Sequence, residues 1–457
     1  MKWSPRITAA LLALMPGLSQ AAAADDALLQ AVRNNDLAQA RSLLAGRADP
    51  NRALADGSTL LAWAVESQSR DMVQLLLARG AKPRAASDAS VAPLMIACEY
   101  GDAAMVDLLL TAHADVKAAD ADGITPLSLC AGTAPPSVLA RLITAGAMAD
   151  QADEQGQTPL MRAAAKGRVD NIELLLKHGA QINRTTLKGF TPQFFALKSG
   201  VPAAPVAVLD AGGNADYIAP DGTSVAQLAM YQKDYAFAAR MIERGADLKA
   251  LDRNGNRLLH AAILAEQPSL VQLLLAKGAD PNAPTGTAQV KWRFESNFRT
   301  GDYELPPKTP LQLAAERGST DLMQMLITAG ADARFRAADG TNIVLAAASS
   351  GKLPALALAL QLDPEPNAAA ADGQTPLHVL LSNGSGAEGA GGETVAMIQL
   401  LHDKGARTDI KNKAGQTSAD IAGDPQFKLK PAFDAIFAKQ SANQTVNQAV
   451  NQTVKNL

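Results

Sequence analysis

Only 4% of this 457-residue chain is aromatic, and it has just five histidines and two cysteines. Each shortage excludes something. His113, His178, His260, His378 and His402 contain no pair spaced i, i+4, so no zinc-binding helix and no metal-ligand cluster emerges. No serine stands in a nucleophile elbow, and no pair of carboxylates stands out from the solvated Asp and Glu of the turns. No catalytic, metal or cofactor residue is therefore expected, and no enzyme. A net charge of -3 gives no basic footprint for nucleic acid. Beyond the N-terminus no segment is apolar enough to span a membrane. What is abundant is Ala and Leu, which suits helices.

Thr-Pro-Leu, or a worn version of it, returns every 33 residues. Taking the Thr as anchor, clean copies begin at Thr125, Thr158, Thr309 and Thr375. Degenerate copies stand at Thr59, Ala92, Thr191, Ser224, Arg257, Asn342 and Thr417, and the faintest at Asp26. Two steps break the period. From 257 to 309 the step is 52, a surplus of 19, and from 375 to 417 it is 42, a surplus of 9. A fixed period of this size signals a stacked-repeat architecture, in which each unit contacts only its neighbours.

One repeat shows the local logic. Gly156, two before the anchor, suits a tight turn; Thr158 can cap a helix; Pro159 fits the first helical position. A first helix is predicted over 160–166, ended by Gly167, and a second near 170–178 with Ile172, Leu174, Leu175 and Leu176 toward the core. Gly179-Ala180 closes it, and such a Gly recurs from Gly80 to Gly405. Ala recurs five after the anchor, as at Ala64, Ala163 and Ala314, letting neighbouring first helices approach closely.

Stretches such as Asp122-Gly123-Ile124-Thr125-Pro126-Leu127 and Val271 to Asn282 resemble the ankyrin repeat family over about residues 25 to 438. The resemblance implies an all-α solenoid of about 12 helix–turn–helix units with projecting loops, curved, and used to bind proteins. The family's His, three after the anchor, survives only at His260 and His378. The hydrogen-bond network expected from it should be mostly absent, with packing carrying more of the stability.

The 19-residue insertion, about 284–307, is the best functional clue. Val290 to Glu295 alternates apolar and polar, and Phe298 and Tyr303 flank a Thr300-Gly301-Asp302 turn signal, which reads as a β-hairpin finger. Trp, Tyr and Arg dominate many interfaces, so Trp292, Arg293, Phe294, Phe298, Arg299 and Tyr303 are the candidate protein-binding residues. Two readings stand: a finger that grips a partner, or one folded back over its own groove. The 9-residue insertion makes a Gly-rich stretch, 383–392, that reads as a passive loop and matches no phosphate loop. The last repeat should cap the stack, with Lys428, Lys430 and Lys439 on its polar outer face. The tail 439–457, built on Asn-Gln-Thr-Val, reads as low-complexity and unpacked.

Residues 1–24 read as a cleavable signal peptide: Lys2 and Arg6, a short apolar stretch, then Ala22-Ala23-Ala24. The competing reading is an uncleaved anchor. Export to a bacterial periplasm would permit disulfides. Cys98 and Cys130, however, lie on first helices of adjacent repeats, whose axes pack roughly 8–10 Å apart, whereas a bridge needs Cα atoms within about 7 Å. The pair therefore reads as two buried thiols. The expected function is a monomeric, non-catalytic periplasmic scaffold for a protein partner, such as an immunity protein or an accessory factor for a resident enzyme. The alternatives are a self-associating or envelope-organising structural protein and a secreted host-directed effector.

Overall fold

The computed structural model describes residues 15–46, 48–52, 54, 57–84, 91–288, 292–296, 299–303, 306–383, 391–424 and 429–438, with backbone alone at 15–22, 292–296, 299–303, 383 and 391. Among these residues the chain forms twelve helical hairpins and a single two-stranded antiparallel ribbon. The first helix, Met15–Arg33, runs through Ala24. The low-complexity tail and residues 384–390 of the Gly-rich stretch lie outside the described residues, as do Lys428 and Lys439.

The anchors are helix N-caps. Thr59, Thr125, Thr158, Ser224, Thr309, Asn342 and Thr417 each accept, through the side-chain oxygen, the backbone N–H three residues on. Such a cap supplies one of the four N–H groups that a helix start leaves unpaired. The repeat anchored at Thr158 runs Pro159–Ala165 and Val169–Lys177, within a residue of the sequence reading. Ile172 and Leu175 are fully buried, and Leu174 and Leu176 pack against the core at its edge. Gly179 then turns left-handed at φ 90°, its N–H bonding to the Leu176 carbonyl (3.0 Å) while Ala180 N–H bonds to that of Leu175 (3.0 Å).

The chain divides into two compact units, Met1–Ala215 and Asp216–Leu457. In the first, one continuous apolar core runs from Leu28 to Val208, with Ala64, Ala97, Ala163 and Ala196 buried where first helices meet. The position three after the anchor is filled here by Ala62, Met95, Ser128, Met161 and Phe194, and all are buried without a helix-to-turn side-chain bond like those below.

The second unit departs from the sequence expectation. There the side-chain network at that position is rebuilt, partly by Gln. His260 Nδ1 accepts the Arg257 N–H (3.0 Å) and its Nε2 meets the Ala283 carbonyl (3.0 Å). Gln227 Oε1 accepts the Ser224 N–H (2.8 Å) while Nε2 donates to the Asn256 carbonyl (2.9 Å). Gln312 Oε1 accepts the Thr309 N–H (3.0 Å) while Nε2 donates to the Thr341 carbonyl (2.8 Å). His378 bonds to the Thr375 N–H and the Gln416 carbonyl (3.2 Å). An amide presents an acceptor and donors at a spacing close to that of imidazole, so Gln substitutes where His is missing.

The two cysteines are bonded, contrary to the sequence reading. Cys98 and Cys130 form a disulfide with Cα atoms 4.4 Å apart. The distance between helix axes overstates the separation of facing Cα atoms. Cα atoms sit about 2.3 Å off each axis, and facing ones come correspondingly closer. The one-residue offset is also how these helices mesh: Gly101 sits against Thr133, again 32 residues on, where a Cβ would lie 2.9 Å from the Thr133 carbonyl oxygen.

Candidate protein-binding site

The 19-residue insertion leaves the stack through a closed root. Thr285 N–H donates to the Lys308 carbonyl (2.9 Å), and Lys308 N–H donates back to Thr285 Oγ1 (3.0 Å). Lys308 Nζ lies 2.7 Å from the Glu316 carboxylate, and the Arg257 guanidinium donates to the Pro284 carbonyl. Gly286 N–H donates to the Gly255 carbonyl (2.7 Å), joining the root to the preceding turn.

The stack continues beneath it undisturbed. Asn282 Nδ2 donates to the Gly330 carbonyl (2.9 Å), and its Oδ1 accepts the Asp332 N–H (2.7 Å). Asn51 makes the same pair of bonds, of the same lengths, to Gly80 and Lys82, where nothing intervenes. Asn183 and Asn367 repeat it. These four Asn residues lock their repeats to the next helix end, a role the sequence reading missed. Its trace in the sequence is an Asn four or five residues past the helix-ending Gly in three of the four cases; Asn367 instead follows Leu362, a helix end without Gly.

Within the insertion, Trp292–Ser296 and Arg299–Tyr303 pair antiparallel, with Trp292 opposite Tyr303, Arg293 opposite Asp302 and Phe294 opposite Gly301. The expected antiparallel pair is there, but its register puts Ser296 opposite Arg299. Thr300-Gly301-Asp302 lies inside the second strand, not at a turn. A Gly flanked by polar residues is a turn signal only where the strand register leaves it unpaired, and here all three are paired. The register brings positions 292, 294, 301 and 303 to one face of the ribbon and 293, 295, 300 and 302 to the other. Trp292, Phe294 and Tyr303 therefore share a face, and Arg293 occupies the opposite one. Arg299, opposite Ser296, belongs with the aromatic positions; Phe298 lies outside the described residues.

The second unit partly exposes Leu251, in a connecting segment, and Tyr231, at the end of the helix Val225–Tyr231. Leu251 is 37% and Tyr231 41% exposed. Leu251 borders Gly286, where a Cβ would come within 2.5 Å of its Cδ1. The Tyr231 hydroxyl donates to the Asp252 carboxylate. Asp252 is buried and also accepts the N–H groups of Asn254 and Asn256 (2.8 Å each). Burial first, and the neighbouring Asp252 second, push the Tyr231 phenol up to about 12, so it stays a neutral donor. Burial likewise lowers His260 to about 4, with nearby Arg257 acting in the same direction, and burial also lowers His378. Both are structural, neutral imidazoles. Among the described residues no three His, Cys, Asp or Glu side chains come together to hold a metal, and no helix is long and apolar enough to cross a membrane.

Stacked helical hairpins with an inserted two-stranded ribbon define the class: a repeat scaffold that presents surface to other proteins. The family described as ankyrin repeats (three copies) matches residues 28–120, 94–186 and 311–412, and the single ankyrin repeat matches 254–286. The chain belongs to the ankyrin repeat family, whose repeats bind protein partners. It is similar to ankyrin repeat and SOCS box protein 16 of Mus musculus, 28% identical over 209 residues, covering 40% of this chain and 44% of that protein. The Homo sapiens protein of that name is 30% identical over 186 residues, covering 39% and 35%. An E3 ubiquitin-protein ligase, KEG, of Arabidopsis thaliana is 25% identical over 270 residues, covering 52% and 16%. The chain thus spans less than half the length of each of these relatives. The ligase activity in the last name belongs to that protein.

Proposed function

We propose that this protein is a non-catalytic scaffold of the bacterial periplasm that captures a protein partner through the inserted finger. The observation that carries the reading is the finger itself. It concentrates four of the chain's eighteen aromatics between 292 and 303, its root is closed by the Thr285–Lys308 bonds, and Asn282 beneath it makes the same stacking bonds as Asn51, where nothing intervenes. Aromatics and Arg on an otherwise aromatic-poor chain are the composition of interface anchors. Export is supported by the leader-like residues 1–24 and by the paired cysteines, since disulfides persist in oxidising compartments. An immunity protein or an accessory factor for a resident enzyme both fit a scaffold of this kind.

The test is affinity purification from periplasmic extract with the intact chain and with a deletion of residues 287–306, which spares Gly286 and the Thr285–Lys308 pair. A discrete protein recovered only with the intact chain supports the reading. Identical recovery by both discards the finger as the binding element.

A further inference from the structure

Cys98 and Cys130 are both completely buried. They lie where the helices Pro93–Tyr100 and Pro126–Thr133 meet, and the ends of both helices are tied down around them. Thr133 Oγ1 donates to the Cys98 carbonyl. Gly101 closes against Thr133 with no room for a side chain. From the next repeat, Asn171 Nδ2 donates to the carbonyls of Ala131 and Ala134 (2.9 Å each), and Arg168 donates to that of Ala134 (3.0 Å). Asn171 is itself buried, a polar residue where other repeats carry apolar ones. Three successive repeats are thus locked around one bond.

Thiol–disulfide exchange needs an attacking thiolate to reach a sulfur of the bond and pass through a mixed disulfide. The stacked repeats leave no such approach to either sulfur. We propose that the Cys98–Cys130 bond is a folding-gated staple, closed before the repeats anchored at Ala92 and Thr125 finish stacking and sealed from soluble thiols afterwards. In the closing step an oxidising dithiol protein in its disulfide form meets one exposed thiolate and forms a mixed disulfide. The second cysteine then displaces it. Cys98 and Cys130 lose two protons and two electrons, and the oxidant leaves as a dithiol. The native molecule afterwards keeps the redox state that was set while it folded. The inference does not depend on the finger or on any partner.

The experiment uses the full-length oxidised chain. It is incubated with dithiothreitol in buffer and, separately, in urea, then alkylated under denaturing conditions and weighed. The bond should open at least about tenfold more slowly in buffer than in urea. Equal rates overturn the seal, and two free thiols after refolding in a glutathione redox buffer overturn the staple. The double variant Cys98→Ala/Cys130→Ala puts at both sites the residue that the repeat anchored at Thr158 carries there, Ala164 and Ala163. Its melting temperature should fall by roughly 5–15 °C, and an unchanged value also overturns the staple. If the variant does not fold, the reduction rates of the unaltered chain still decide.

Discussion

At the scale of the residue, function and stability depend on a few polar side chains placed where the repeat would take an apolar one. Gln193 occupies the position two after its anchor that is Leu in the cleanest copies. It is buried, donates from Nε2 to the Pro205 carbonyl (3.1 Å), and leaves Oε1 without a partner among the described residues. A buried acceptor left unpaired costs about 1–3 kcal/mol. Gln193→Leu should therefore stabilise the first unit by roughly 1 kcal/mol, read as a higher urea midpoint. His260 makes the opposite case. Its folded pKa of about 4 lies below the ordinary 6.5, so the unfolded chain binds the proton more readily. Stability is intact above about pH 6.5 and falls as pH drops toward about 4, by at most about 3 kcal/mol. His260→Gln keeps the acceptor and the donor, as Gln227 and Gln312 show, and does not titrate. Melts of this variant should lose most of the slope between those pH values; an unchanged slope would assign the acid sensitivity elsewhere. The period of the anchors was enough to locate His260 and His378. It could not reveal that Gln227 and Gln312 do the same work, because that depends on which carbonyl the next turn brings within reach.

At the scale of the element, the sequence was most legible where one residue decides a local geometry. Thr caps, Pro at the first helical position and Gly after the second helix place the boundaries of Pro159–Ala165 and Val169–Lys177 almost to the residue. Register was less legible. The hairpin's existence follows from alternation, but its register, Ser296 opposite Arg299, depends on pairing across strands, and a local turn signal at Gly301 misleads. The disulfide was missed for a similar reason: a spacing of 32 says nothing of closeness until the mesh of two helices is known. Two glycines separate local from long-range constraint. Gly179, at φ 90°, has nothing within 4 Å of a would-be Cβ, so Gly179→Ala should cost only the left-handed penalty, roughly 1–2 kcal/mol. At Gly255, φ 78°, the added carbon would lie 2.1 Å from the Gly286 carbonyl oxygen at the finger's root. Gly255→Ala should cost clearly more, roughly 3 kcal/mol or above, and should raise hydrogen exchange at Gly286. Equal denaturation midpoints for the two variants would contradict this view of the root.

At the scale of the whole molecule, the two units reach stability by different means. The first relies on an unbroken apolar core, one disulfide and the Asn171 clasp; the second on the Gln227, His260, Gln312 and His378 bonds that join four of its helix starts to the following turns. The repeat family could be read from the chain before any coordinate, since the 33-residue period needs no tertiary knowledge. The partner could not, because a scaffold's specificity lies in the residues that depart from its own rule. The central claim is that the finger touches another protein. It is tested most directly by placing a photo-crosslinking amino acid at Phe294 and, as control, at the exposed Glu173 on a second helix, then irradiating intact cells. The account predicts a discrete heavier adduct with a different protein from position 294 and none from 173. Adducts from 173 alone, or from neither position, would contradict it.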